Sequence, residues 1–101
     1  MSGETNRLQL SARLASRDAL RYSPAGVAIL NCKLQHRSQQ MEAGARRNTE
    51  MEIDAVAVGP IAVTLAQVAM EAAMEIEGFL ARKYRTGPAL ELHITNFELK
   101  D

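Results

Sequence analysis

A chain of 101 residues with 47% apolar side chains can bury roughly two thirds of its unfolded surface in one domain, and its composition excludes intrinsic disorder. Its 12 Lys+Arg balance 12 Asp+Glu, which excludes binding of polyanions through the field of the whole molecule; a nucleic-acid partner needs a local patch. A single cysteine, Cys32, excludes an internal disulfide, and no run of about 18 apolar residues is present to span a bilayer.

Residues 1–4 read as a flexible start, and "MSGETNRLQLSARL" has no long apolar centre of the kind a signal peptide carries, so the cytoplasm is the expected compartment. From Arg7 to Leu14 polar and apolar residues alternate strictly, with Leu8, Leu10, Ala12 and Leu14 on the dry side of a first strand. Ser-Pro-Ala-Gly at 23–26 sets proline at the second position of a turn and glycine at its end. The second strand, "VAILNCKLQHR", faces Ala28, Leu30, Cys32 and Leu34 inward, and its other face becomes polar toward Arg37. The stretch at about 38–48 has no periodicity and one glycine, and is expected to be a mobile polar loop.

"TEMEIDAVAV" alternates again, placing Met51, Ile53 and Ala55 inside and Glu50, Glu52 and Asp54 outside. Behind Gly59 and Pro60, the spacing of Ile61, Leu65 and Val68 predicts one short helix with proline in its first turn. A fourth strand presents Met74, Ile76, Gly78 and Leu80 to the core against Glu75, Glu77 and Phe79. In the fifth, "ALELHITNFEL", the apolar parity slips between Ile94 and Phe97, as a bulge makes it slip.

Three strands, a helix and two strands without βαβ alternation exclude a doubly wound sheet. Closing five strands removes exposed edges, so the expected fold is all-β with one short helix, a five-stranded OB-fold barrel forming a single domain over 1–101. Gly78 supplies a bend that such a barrel needs.

No P-loop, nucleophile elbow, H-E-x-x-H or paired C-x-x-C is present, and nothing in the spacing brings Cys32 to His36 or His93 as nucleophile and base. No catalytic residue, metal or cofactor is therefore expected. Cations are concentrated in Arg82, Lys83 and Arg85 around Tyr84, in the turn before the last strand, which in an OB-fold walls the oligonucleotide groove. Arg21 beside Tyr22, Lys33 and Arg37 extend this candidate patch, with Arg46 and Arg47 in the expected loop. Neutralising about four phosphates gives a slope of log K against log salt near −3. Glu50, Glu52 and Asp54 share a strand face that repels phosphate, so a nucleic-acid strand is expected to pass elsewhere.

The stretches "TNRLQLSARL", "RYSPAGVAILNCKLQHRS", "EAG" at 42–44 and "EGFLARKYRTG" through "LHITNFEL" resemble the bacterial primosomal replication protein N (PriB) family, small relatives of single-stranded DNA-binding protein. The resemblance runs nearly end to end and is weakest in the helix; "SPAG" followed a dozen residues later by "HRS" is its most specific part. It implies a homodimer of OB-folds without enzymatic activity, which binds single-stranded DNA and contacts the PriA helicase and DnaT during replication restart. The family's DNA contacts carry over to Arg21, Arg37, Lys83 and Arg85. Three positions depart from the pattern. Glu50 stands where the family has a tryptophan platform, Ala45 where it has an aromatic residue, and Leu90 where it has a cation. These departures imply weaker DNA binding, with more of the role falling to protein partners.

Three readings follow: a single-stranded DNA-binding module resting on 82–85, a protein-interaction scaffold suggested by the acidic stripe and the few aromatics, and, ranked last, a metal-dependent nuclease built on Glu50, Glu52 and Asp54.

Overall fold

The alternation at the start of the chain becomes β1 (Leu8–Arg17) in a computed structural model that describes residues 3–100. The expected flexible start falls partly on residues 1 and 2, which lie outside the described residues. β1 runs three residues past its alternation because a bulge at Ala15, between the pairs Leu14↔Leu34 and Ser16↔Lys33, bends it. The bend lets one strand serve two neighbours: its first half pairs with β5 (Ala73–Arg82), its second with β3 (Ala28–Glu42). Before β3 the Ser23–Gly26 turn closes as expected, with the Gly26 N–H donating to the Ser23 carbonyl at 2.8 Å and Gly26 at φ 83°. It joins β3 to a two-residue β2 (Arg21–Tyr22).

β4 (Ala45–Val58) returns antiparallel to β3, α1 (Pro60–Leu65) follows, and β6 (Leu90–Leu99) lies between β5 and β4, parallel to the latter. The order β1-β5-β6-β4-β3 closes through β1–β3 pairing, giving the five-stranded OB-fold barrel. Its interior is filled by Leu14, Leu30, Leu34, Met74 and Leu92, with Leu65 from the helix plugging one end, all fully buried. Burial pushes the Cys32 thiol up to about 11, so it remains a protonated, inert core group at neutral pH.

The segment expected to be a polar loop at 38–48 is instead an arm. β3 and β4 continue through it, paired from Ser38↔Thr49 to Glu42↔Ala45, and turn in two residues, Ala43 (φ 51°) and Gly44 (φ 79°). Both left-handed residues are what a type I′ hairpin turn demands. Because the arm projects past the core, both its faces are wet, and Met51, expected inside, is 40% exposed at its root. The helix is shorter than its apolar spacing suggested. Proline starts it, Ala62 and Leu65 are its buried residues, Ile61 is half-buried, and Val68 is buried in the turns beyond. There the Arg17 guanidinium donates to the Leu65 and Val68 carbonyls, supplying the C-terminal cation that the helix itself lacks.

The parity slip in the last strand is a bulge at Thr95, flanked by the pairs Gly78↔Ile94 and Glu77↔Asn96. Gly78 faces the backbone at this point: a Cβ there would lie 1.9 Å from the His93 carbonyl oxygen. We predict that Gly78→Ala destabilises the fold by about 3 kcal/mol, since the obstacle is main chain and cannot rotate away. A urea midpoint that falls with an unchanged m-value checks this.

Candidate nucleic-acid interface

Antiparallel register decides what this surface presents. On the outer side of the barrel β3 offers Asn31, Lys33, Gln35 and Arg37, and directly opposite on β4 stand Val56, Asp54, Glu52 and Glu50. The carboxylates expected to keep DNA away therefore share a face with the cations expected to bind it. Arg37 Nε lies 2.7 Å from Glu50 Oε1, and Lys33 Nζ 3.9 Å from Glu52 and 3.5 Å from Asp54. From the loop after β5, Lys83 reaches down to the same Asp54 at 2.7 Å. The carboxylate stripe and the candidate cations thus form one ladder rather than two surfaces.

The hydrogen bond from Lys83, reinforced by the charges of Lys83 and Lys33, holds the Asp54 carboxyl below its ordinary value of 3.8. The same bond raises the Lys83 ammonium above its ordinary 10.5. A depressed carboxyl stabilises the pair above its unfolded value and is lost as pH falls through the folded one. A raised ammonium stabilises below its unfolded value and is lost as pH rises through the folded one. The contact thus holds from about pH 4 to about pH 10.

Arg82 and Arg21 are held by neutral groups. Arg82 donates to the Arg85 carbonyl at 2.9 Å, folding across its own loop, and Arg21 donates to Asn31 Oδ1 at 3.0 Å. Arg21, Arg82 and Arg85 form no ion pair among the described residues. Tyr84 is 62% exposed, with the Lys83 ammonium 5.6 Å from its ring centre. Asn31, Lys33, Asp54 and Lys83 line one cleft of about 80 Å³, which joins Arg21 through Asn31 to the loop at 82–85. Arg37 lies further along the ladder, at the root of the arm, where it also borders a larger cleft of about 570 Å³ with Arg13 and Lys100. Of the arm cations, Arg47 is paired with Glu42.

Sequence reasoning missed Asp54 as the anchor of Lys83 and Asn31 as that of Arg21; reading Ala43-Gly44 as a two-residue turn would have supplied the register that pairs Lys33 with Asp54. It also missed a flat stack of Phe79 on His93, rings 4.8 Å apart and 7° from parallel, on the outer side of β5 and β6. No three metal-ligating side chains gather among the described residues, and none of their helices is long and apolar enough to cross a membrane.

A family model described as another single-strand binding protein family matches residues 6–96. The replication restart protein PriB of Bordetella pertussis is 39% identical over 89 residues, 88% of this chain and 83% of that protein. The same protein of Nitrosomonas europaea is 36% identical over 88% of this chain and 82% of its own. A solved structure of PriB from Ralstonia solanacearum superposes with a TM-score of 0.89 at 42% identity, over 97% of this chain and 100% of that one. The single-stranded DNA binding protein from Thermus aquaticus matches at TM-score 0.76 and 20% identity, over 96% of this chain and 50% of that one, a likeness of fold.

The Asp54 carboxyl is predicted to titrate below 3.8 and to move back toward that value in Lys83→Met. Carboxyl carbon shifts followed by NMR through acid titration of both proteins measure it.

Proposed function

The chain belongs to the PriB family of replication restart proteins, and from that premise we propose that it is a non-catalytic single-stranded DNA-binding accessory protein of the cytoplasmic replication-restart primosome. A single OB-fold domain brings DNA to the PriA helicase and to DnaT, and needs no cofactor. One observation carries this reading: Arg21, through Asn31, and Lys33 and Lys83, directly, converge on one cleft beneath a loop that holds Arg82, Tyr84 and Arg85 at the surface. Phosphates follow the cations, and Tyr84 offers a base its ring. Lys33, Arg37 and Lys83 are already paired with carboxylates, so Arg21, Arg82 and Arg85 supply the readily available charge. With three phosphates rather than four, the salt slope drops to about −2.

A second reading, a protein-interaction scaffold that binds DNA weakly and mainly docks the helicase and the loader-recruiting partner, is favoured by the same ion pairs, which leave the ladder without net charge. The two part on one variant. Arg82→Glu with Arg85→Glu is expected to weaken binding of labelled oligo-dT at least tenfold in fluorescence anisotropy at low salt, and to abolish stimulation of the helicase. Stimulation that survives the loss of DNA binding favours the scaffold, and wild-type protein without saturable binding at low salt removes the DNA-binding reading.

Dimerisation belongs to the proposal. Among the described residues, 8–12 of β1 have β5 on one side and no strand on the other, since β3 joins only from Arg13 onward. An uncovered strand edge is a template for a second strand, and two copies joined there bury both edges about a two-fold axis. Sedimentation velocity at tens of micromolar is expected to return about twice 11.1 kDa; a persistent monomer overturns it.

A further inference from the structure

We infer that Glu50, Glu52 and Asp54 set the affinity of this face for single-stranded DNA by standing in for phosphates on its own cations. The inference rests on the DNA-binding reading and adds an internal competitor to it. Asp54 has the contacts a phosphodiester would make here: one oxygen 2.7 Å from Lys83 Nζ, the other 3.5 Å from Lys33 Nζ. The two ammonium groups come from separate elements, the loop after β5 and the middle of β3, and meet at a single anionic group. One register step on, Glu52 stands 3.9 Å from the same Lys33, and Glu50 takes Arg37 Nε at 2.7 Å. The shorter contacts have the length of charge-assisted bonds to any oxyanion, carboxylate or phosphate.

Two consequences follow from charge counting along the ladder. Lys33, Arg37 and Lys83 against Glu50, Glu52 and Asp54 leave no net charge, so a phosphate that binds there either displaces a carboxylate or sits beside one and meets its repulsion. A cation already neutralised by a carboxylate brings little net charge to a phosphate, so it releases few of the counterions condensed on DNA and adds little to the salt slope. The three arginines held by neutral oxygens or by none carry no such penalty. The face therefore contains two classes of cation, and the β4 carboxylates decide which of them DNA can use.

The test compares two variants of equal charge change. Glu50→Gln/Glu52→Gln/Asp54→Asn empties the ladder of anions while keeping side-chain shape. Glu42→Gln/Glu77→Gln/Glu98→Gln adds the same charge outside the ladder and the clefts beside it, and frees Arg47 from Glu42 and Arg7 from Glu77. By oligo-dT anisotropy at several salt concentrations, the ladder variant is expected to bind at least tenfold more tightly than wild type, with a slope steeper by about two. The control is expected to gain less than about threefold at an unchanged slope. Adding Lys33→Gln and Lys83→Gln to the ladder variant is expected to remove most of the gain. Equal gains in both triples, or an unchanged slope in the ladder variant, overturn the inference and leave the DNA-binding reading standing. Wild type that does not bind removes that reading; the inference then survives if the ladder variant binds and falls if it too is silent. Should the ladder triple not fold, Asp54→Asn alone is judged by the direction of its affinity and slope.

Discussion

The unbroken antiparallel register of β3 and β4, from Ile29↔Val58 to Glu42↔Ala45, is the constraint on which both the core and the candidate interface depend. Side chains alternate with period two, so a slip of one residue would carry every inward group outward. Inside, the register sets Leu30 beside Ala57, Cys32 beside Ala55 and Leu34 beside Ile53, which fill the narrow barrel interior. Outside, it sets Lys33 opposite Asp54 and Arg37 opposite Glu50. The apolar face fixes the register energetically, and the charged face inherits it.

At the other end of the barrel the register is reinforced by a buried polar group. His36 is 8% exposed, and its ring nitrogens meet the Ser11 carbonyl at 2.6 Å and the Ser38 hydroxyl at 2.7 Å. It sits where β1 leaves β3 for β5, so a carbonyl on the uncovered part of β1 finds a partner in the side chain of β3. The "HRS" stretch is explained by this contact: its histidine ties the barrel to the root of the arm, its serine completes the tie, and its arginine belongs to the outer ladder.

Much of the barrel was legible because burial leaves a trace in sequence. The dry faces of β1, β3 and β5 and the slip at Thr95 reflect contact with a core or a neighbouring strand, whereas Gly78, expected for a bend, is required by the close approach of the His93 carbonyl. The arm was not legible for the same reason. Its strands are held by main-chain hydrogen bonds between two wet faces, and main-chain bonds impose no hydrophobic period. The misread arm hid the turn at Ala43-Gly44, and with it the register. The cations at 21, 33, 37 and 82–85 could thus be recognised as candidates while their carboxylate partners could not. A charge in a sequence has a sign but no neighbour, and the neighbour decides how much of that charge a ligand meets.

The loop at 83–89 shows what the pairing contributes. Its base is closed by the Lys83 N–H donating to the Ala89 carbonyl at 2.8 Å, its middle is spanned by Arg82 reaching the Arg85 carbonyl, and Gly87 turns it at φ 93°. The Lys83–Asp54 contact then fastens it to the sheet. A loop ordered on folding spares a ligand the entropy of ordering it, so Tyr84 and the guanidinium groups are held out before any strand arrives. If a phosphate took Lys83 from Asp54, it would gain a cation and loosen the loop that presents the others. Arginines tied to neutral oxygens escape that conflict, because they can meet a phosphate with their remaining N–H donors while their existing bonds persist. A net-neutral protein can in this way offer a polyanion a small, rigid set of charges while keeping the rest of its cations for itself.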